Sequence, residues 1–251
     1  MTEPQTFSGK VAIVTGGGSG IGKACTTLFF QRGASVVIAG RDEKVDATAK
    51  ELDPTLKRVL PVQLDLAEES QVKKMMSDTV KKFGQIDILV NAAGEVAVGK
   101  IDEITVEQWE RINRNNGLNT FLCCKHVIVE MKKKKYGKIV NVSSITGRSR
   151  GMTSDLSYAY AKAGLISFTR QLAVEVIKFG INVNAVAPSQ TLTPMLRSFP
   201  NFENIEKQLK EKIPIGYIAK PEQQAEVILF LVSDVADYMV GSIVDVNGGQ
   251  F

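Results

Sequence analysis

Cysteine is scarce in this chain: three in 251 residues, Cys25, Cys123 and Cys124. The count is odd and two of the three are adjacent in an apolar, helix-like run. This argues against a disulfide framework and for buried thiols in a reducing compartment. Long apolar runs are missing too, and none approaches the ~18 residues of a membrane span. The start, Met1-Thr2-Glu3-Pro4-Gln5, has neither a basic stretch nor an apolar core, so no signal peptide is expected and a cytoplasmic location is. Excess charge of one sign is also lacking. Thirty-one Lys and Arg against 27 Asp and Glu leave +4, too little to argue for a nucleic-acid partner. The densest basic run, Lys132 to Lys135, closes a helix-like stretch, where cations complement the helix dipole. Linkers, repeats and low-complexity segments are absent, so one domain over 1–251 is expected, with no metal site and no membrane contact.

What is present suits a globular α/β domain: 44% hydrophobic and 23% charged residues, in a chain long enough for a sizeable core. Lys10-Val-Ala-Ile-Val-Thr15 is an apolar run of strand length, as for a strand buried on both faces. A glycine loop follows at once, Thr15-Gly16-Gly17-Gly18-Ser19-Gly20-Ile21-Gly22, and then a helix-forming stretch from Ile21 to Gln31. Strand, glycine turn and helix form the context of a dinucleotide site. There, glycines let the backbone approach a pyrophosphate and the helix start supplies positive N–H groups. A second strand, Ser35 to Ala39, ends at Gly40-Arg41-Asp42. A carboxylate closing this strand would hold a ribose 2′-hydroxyl, whereas an arginine can pair with a 2′-phosphate. Gly40 followed by Arg41 therefore favours NADP(H), with NAD(H) possible, and Asp42 is expected to turn out as a helix cap.

Further strands are expected at Val59 to Leu64, Ile86 to Val90, Lys138 to Val142, Ile181 to Val186 and Gly241 to Val246. Helices are expected at Glu68 to Phe83, from roughly Val106 to Lys133, and from Pro221 to Val232. Within the long helix, Ile112, Asn116 and Thr120 fall at steps of four with Cys123 and Cys124 continuing the line. Asn116 is thus placed inward and Asn115, on the face of Arg111, outward. Tyr158 and Lys162 are four apart, one helical turn from each other on one face. An ammonium beside a phenol favours the phenolate, so a group with a reference pKa near ~10 is expected to exchange protons nearer neutrality. Tyr160, about 200° around the helix, faces away.

The glycine loop, Asn91-Ala92-Ala93-Gly94, Asn116, Ser143-Ser144 and the Tyr158–Lys162 pair occur in an order that resembles the short-chain dehydrogenase/reductase family, in its form of about 250 residues. The resemblance covers essentially the whole chain. It implies a doubly wound, seven-stranded parallel Rossmann sheet with helices on both faces. It implies hydride transfer between a nicotinamide cofactor and a carbonyl or alcohol carbon. Tyr158 would be the proton donor, Ser144 would bond the reacting oxygen, and Lys162 would tune Tyr158 and hold the nicotinamide ribose. Asn116 would anchor a water that reprotonates Lys162.

Cofactor contacts are implied for Gly16, Gly18, Ser19, Gly20, Ile21 and Gly22, and for Gly40 and Arg41. Asp65 and Leu66 would meet the adenine, and Asn91, Ala92, Ala93 and Gly94 the ribose and nicotinamide. Pro188, Ser189, Thr191 and Thr193 would follow the sixth strand. Ser19 stands where many NADP-using relatives carry Arg or Lys, and Ser189 replaces a usual glycine. The segment from Met195 to Pro214 would be a lid. The two central helices and the tail from Asn247 to Phe251 would meet other subunits of a homotetramer or dimer. Glu95, Arg148 and Arg150 flank the expected cleft, as contacts to a polar or anionic substrate or as surface charges. A 3-oxoacyl-type ketone is the leading substrate, with sugars or polyols as the alternative. A non-catalytic dinucleotide sensor is disfavoured by the complete set of Asn116, Ser144, Tyr158 and Lys162.

Overall fold

The computed structural model describes residues 6–150 and 154–251. The apolar runs become seven strands of one sheet: β1 (Val11–Thr15), β2 (Ser35–Gly40), β3 (Val59–Gln63), β4 (Ile88–Asn91), β5 (Gly137–Val142), β6 (Ile181–Pro188) and β7 (Ile243–Val246). Their order is β3-β2-β1-β4-β5-β6-β7, with every neighbouring pair parallel. β1, β4, β5 and β6 are buried along their whole length, as strands covered on both faces must be.

Two cores result. On one face α1 (Gly20–Gln31), α2 (Lys44–Leu52) and a later helix close over Val14, Ile38, Val90 and Val140. On the other, α3 (Glu69–Phe83) closes over Ile13, Val37, Leu89 and Ile139, joined by the two central helices. The expected cap at Asp42 implies a helix here, but the N-cap of α2 is Glu43, one residue later, and it makes no side-chain cap bond. Asp42 meets the helix with Oδ1 accepting from Lys44 N at 3.2 Å, just ahead of the first turn. Among the described residues no helix is long and apolar enough to cross a membrane.

The expected single helix from Val106 to Lys133 is two helices, α4 (Val106–Asn113) and α5 (Asn119–Lys134), joined by a π-helical turn over Arg114–Leu118. There the Asn119 N–H bonds the Arg114 carbonyl, five residues back. α6 (Leu156–Val176) carries Tyr158 and Lys162. Beyond β6 lie α7 (Pro194–Arg197), α8 (Phe202–Lys212) and α9 (Pro221–Leu231). The α7–α8 segment has a small apolar cluster of its own, Leu196, Leu209, Ile213 and Ile218. The tail folds back on this segment, Gly248 O accepting from Ile215 N at 3.1 Å.

Candidate active site

The strand order reverses between β1 and β4, and a crevice opens outside their carboxyl ends. Gly16 makes the turn out of β1 with φ of +65°, and a Cβ there would stand 3.0 Å from Ala93 Cα. A Cβ on Gly22 would lie 2.2 Å from the Gly16 carbonyl oxygen, so only glycine lets α1 start this close to the turn. Thr15 Oγ1 accepts from both Ala92 N and Ala93 N at 3.1 Å, tying the loop after β4 to the end of β1. Ser19 opens α1 without a side-chain cap bond, and the first turn holds no acidic residue. The crevice therefore meets free N–H groups at the positive end of a helix, which suits an anionic pyrophosphate.

One half of the crevice runs over Gly18, Gly40, Arg41, Asp65 and Leu66 to Asn115. Burial would raise the Asp65 carboxyl, but the Ala67 N–H and the Arg114 guanidinium outweigh it and hold its pKa below the usual value. These partners sit at 2.9 Å and 3.0 Å. The other half has a cavity volume of about 220 Å³ and is walled by Gly20, Ile21, Ser144, Tyr158, Lys162, Pro188, Ser189, Thr191 and Thr193. Ser189 is buried and has no left-handed backbone, so the glycine usual in the family is not required. Thr193 Oγ1 caps α7 by accepting from Leu196 N at 3.3 Å, while its methyl faces Gly20, where a Cβ would stand 3.0 Å away.

Ser144 lies two residues past the end of β5, its Oγ accepting from Thr146 N at 3.1 Å. Tyr158 enters from the first turn of α6, whose start Asp155 fixes by accepting from Tyr158 N at 2.9 Å. Burial pushes the Tyr158 phenol up to about 12, against a hydrogen bond from Ser144 that favours the phenolate. Lys162 is buried, donates to the Val142 carbonyl at 2.9 Å, and has its Nζ 5.6 Å from the Tyr158 ring centroid. Burial lowers its pKa to about 8. The expected lowering of Tyr158 by Lys162 is thus reversed: burial disfavours the charged form of each group, which keeps the phenol neutral, while the lysine gives up its proton only above about pH 8. A neutral phenol is the form that donates a proton.

Asn116 is fully buried and donates to the carbonyls of Glu95 and Ile112, both at 2.8 Å. A Cβ on Gly94 would lie 2.6 Å from Asn116 Oδ1 and 3.4 Å from Lys162 Nζ, so Gly94 fills the gap between them. Three expectations need correction. Asn115 is not turned to solvent, because the π-helical turn rotates it inward to donate to Glu95 Oε2 at 2.6 Å. Asn91, expected against the cofactor, turns its amide below the crevice to Asn141 Oδ1 at 2.9 Å and Cys124 Sγ at 3.3 Å. Glu95, Arg148 and Arg150 do not wall the half around Tyr158. Glu95 pairs with Arg41 and Arg111, Arg148 with Asp245 at 2.9 Å, and Arg150 is exposed. Asp155 and Gln108, whose Nε2 donates to Asp155 Oδ2 at 2.6 Å, were missed. The Asp-x-Ser-Tyr run was the available signal.

A crevice at the switch point of a parallel sheet, with serine, tyrosine and lysine on one wall and an open helix start on the other, defines a dinucleotide-dependent oxidoreductase. The chain belongs to the short-chain dehydrogenase/reductase family: the family model described as Enoyl-(Acyl carrier protein) reductase matches residues 16–250. It is an oxidoreductase acting on CH–OH groups. It is 38% identical to the 3-oxoacyl-(acyl-carrier-protein) reductase FabG of Thermotoga maritima, over 97% of this chain and 98% of that one. It is 40% identical to the cis-4-hydroxycyclohexanecarboxylate dehydrogenase of Sinomonas cyclohexanicum, over 98% of both. A solved protein of Beutenbergia cavernae, assigned as an NAD(P)-dependent gluconate 5-dehydrogenase and holding NADP at low occupancy, superposes with a TM-score of 0.91. It shares 28% identity over 98% of both chains.

Proposed function

We propose that the protein is an NADPH-favouring ketoreductase of 3-oxoacyl-type substrates. The observation that carries this is the wall of the half-crevice beside Ser144 and Tyr158. Val96, Ile145, Met195, Leu196 and Phe199 line it, and among the described residues its only cation is Lys162. An acyl chain finds apolar contact there; an anionic sugar acid finds no guanidinium.

The glycine loop and the start of α1 would hold the pyrophosphate, Asp65 and Leu66 the adenine, and Arg41 a 2′-phosphate. Ala92 to Gly94 and Lys162 would face the nicotinamide ribose, and Pro188, Ser189, Thr191 and Thr193 the far edge of the ring. The bound cofactor supplies a hydride. Tyr158, held protonated by burial, gives its proton to the developing alkoxide as general acid. The Ser144 hydroxyl bonds the same oxygen and stabilises charge as it forms. Asn116 positions the loop that carries Gly94 and, with Lys162, the route by which the proton is restored. The 195–214 segment would be the lid, since Met195, Leu196 and Phe199 reach the crevice while its apolar cluster lets it move as a unit. A cytoplasmic homotetramer joined through α5 and α6 belongs to the same reading, supported by exposed Phe121 and Tyr160 on those helices.

A polyol dehydrogenase is the second reading. Thr146, Ser154 and Gln190 share the wall, and the buried Gln190 Oε1 has no hydrogen-bond partner, so a substrate hydroxyl could donate to it. A panel of 3-oxoacyl thioesters, alicyclic ketones, aldoses and polyols, with reduced and oxidised cofactors, decides. The ketoreductase reading expects the highest kcat/KM for a 3-oxoacyl thioester with NADPH. A polyol with oxidised cofactor in first place would overturn it.

A further inference from the structure

Glu95 lies just beyond the loop after β4, at the edge of the crevice, and two arginines meet on it. Arg111 Nε stands 3.2 Å from its Oε1 and Arg41 Nη2 3.9 Å from its Oε2, where Asn115 also donates at 2.6 Å. Its backbone is pinned as well: Asn116 Oδ1 accepts from Glu95 N at 3.3 Å and Asn116 Nδ2 donates to Glu95 O at 2.8 Å. Arg41 follows β2 and Glu95 follows β4, with β1 between those strands. The Arg41–Glu95 pair therefore reaches over the glycine turn that ends β1. Two other carboxylates lie near Arg41, but each has its own partner. Asp42 pairs with Lys44 at 3.5 Å and Asp65 with Arg114 at 3.0 Å. Both guanidiniums on Glu95 are more than half exposed, and exposed ion pairs add little to folding stability. Stability does not account for the arrangement.

We propose that Glu95 sets the discrimination between the two dinucleotides by occupying Arg41 and thereby holding NADPH affinity down. The proposal rests on the reading above in which Arg41 grips the 2′-phosphate. A 2′-phosphate brings nearly two negative charges to Arg41. To be gripped it must displace Glu95 from that guanidinium, leaving the carboxylate to Arg111 and Asn115 while its charge stays close by. NADH brings no charge to this spot and displaces nothing. Arg111 is what makes the exchange workable, because it keeps a cation on Glu95 after Arg41 leaves. Glu95 is thus a positioning residue for Arg41 and touches neither the reacting atoms nor the proton path. Removing its charge is worth about three- to tenfold in NADPH affinity, for unit charges several ångströms apart at a partly exposed site.

The test is direct binding of NADPH and NADH, followed by nucleotide fluorescence, to the wild-type protein and to Glu95→Gln, Glu95→Asp and Arg41→Ala. Glu95→Gln is expected to tighten NADPH three- to tenfold and to change NADH less than twofold. Glu95→Asp, which keeps the charge, is expected to stay within twofold of wild type for both. Equal changes in NADPH and NADH in Glu95→Gln would mean a purely structural role and would overturn the proposal. So would a Glu95→Asp variant that follows Glu95→Gln. If Arg41→Ala weakens NADPH while Glu95→Gln leaves it unchanged, the Arg41 reading stands and only the proposal fails. If Arg41→Ala leaves NADPH unchanged, the Arg41 reading fails and the proposal with it.

Discussion

Asp155 Oδ1 accepts the backbone N–H of Tyr158 at 2.9 Å, so one carboxylate decides where the helix bearing the proton donor begins. The same oxygen accepts from Ser157 Oγ at 2.7 Å, and the other takes Gln108 Nε2 at 2.6 Å. Loss of an N-cap typically costs about 0.5–2 kcal/mol. Asp155→Ala is expected to sit at or above the upper end, because two further side chains lose their acceptor. Thermal unfolding should show the drop, and kcat should fall with it. Asp155→Asn should recover most of the stability. An alanine variant with unchanged melting temperature would refute the cap.

Tyr158→Phe should lower kcat by about 10²–10⁴, the usual worth of a positioned acid, while dinucleotide affinity changes little. Tyr160 packs on Trp109 with ring centroids 5.0 Å apart and is largely exposed. Tyr160→Phe should turn over normally. Steady-state kinetics of the two variants separate the roles, and a crippled Tyr160→Phe would reassign the donor.

Lys162 gives a signed prediction for stability. Its pKa falls from 10.5 to about 8 on folding. The unfolded chain therefore holds a proton between those values that the folded chain has released, and stability rises with pH through that window. Below about pH 8 the folded protein bears the cost of a buried charge. Lys162→Met should therefore be more stable than wild type at pH 7, by roughly 1–3 kcal/mol, with the gap narrowing by pH 9.5. Urea unfolding at both pH values checks the sign. Activity is lost throughout.

Replacing Asn116 with leucine removes both carbonyl contacts in a fully buried site, so kcat and melting temperature should both fall. Asn115→Leu instead frees the Glu95 carboxylate and should act on KM for the dinucleotide more than on kcat. The same split of kcat and KM in both variants would show that the two asparagines do one job.

Arg41 is more than half exposed and lines the crevice half that runs to Asp65. A charge-assisted hydrogen bond is worth roughly 1.5–3 kcal/mol, so Arg41→Ala should raise KM for NADPH about ten- to a hundredfold and leave NADH alone. Gly40→Asp should favour NADH. Its backbone lies outside the left-handed region, and its new Cβ must only ease Val45 Cγ2, 3.1 Å away. A wild-type preference for NADH would defeat the assignment.

The strands were legible because a strand buried on both faces is mostly apolar: the runs at Val11 and Ser35 are continuous, and that at Ile181 is broken only by Asn182 and Asn184. The glycine turn was legible because close backbone approach leaves few alternatives to glycine at Gly16 and Gly22. Residues that act through local spacing, Tyr158 and Lys162, came out on one helix. What stayed hidden was of two kinds. An inserted turn breaks the helical period without a compositional mark, which is why Asn115 was placed outward. Pairs far apart in sequence leave no local pattern: Arg148 and Asp245 are 97 positions apart, and Asn91 and Asn141 are 50 apart. The dryness of the Tyr158 site was equally invisible, since it comes from walls supplied by separate segments of the chain.

The wide turn over Arg114–Leu118 makes the helix one residue longer than its length in space requires. A regular α-helix advances about 100° per residue. Deleting a single residue there would mend the hydrogen-bond ladder and improve the helix as a helix. It would also swing everything on one side of the cut by that angle relative to the other. Asn116 could no longer meet the loop at Glu95 while Cys123 and Cys124 kept their places in the core. The surplus residue acts as a phase shifter: it lets one rod serve two registers, the crevice edge on one stretch and the sheet on the next. A one-residue deletion is therefore worse tolerated here than most point substitutions, although it removes a local irregularity.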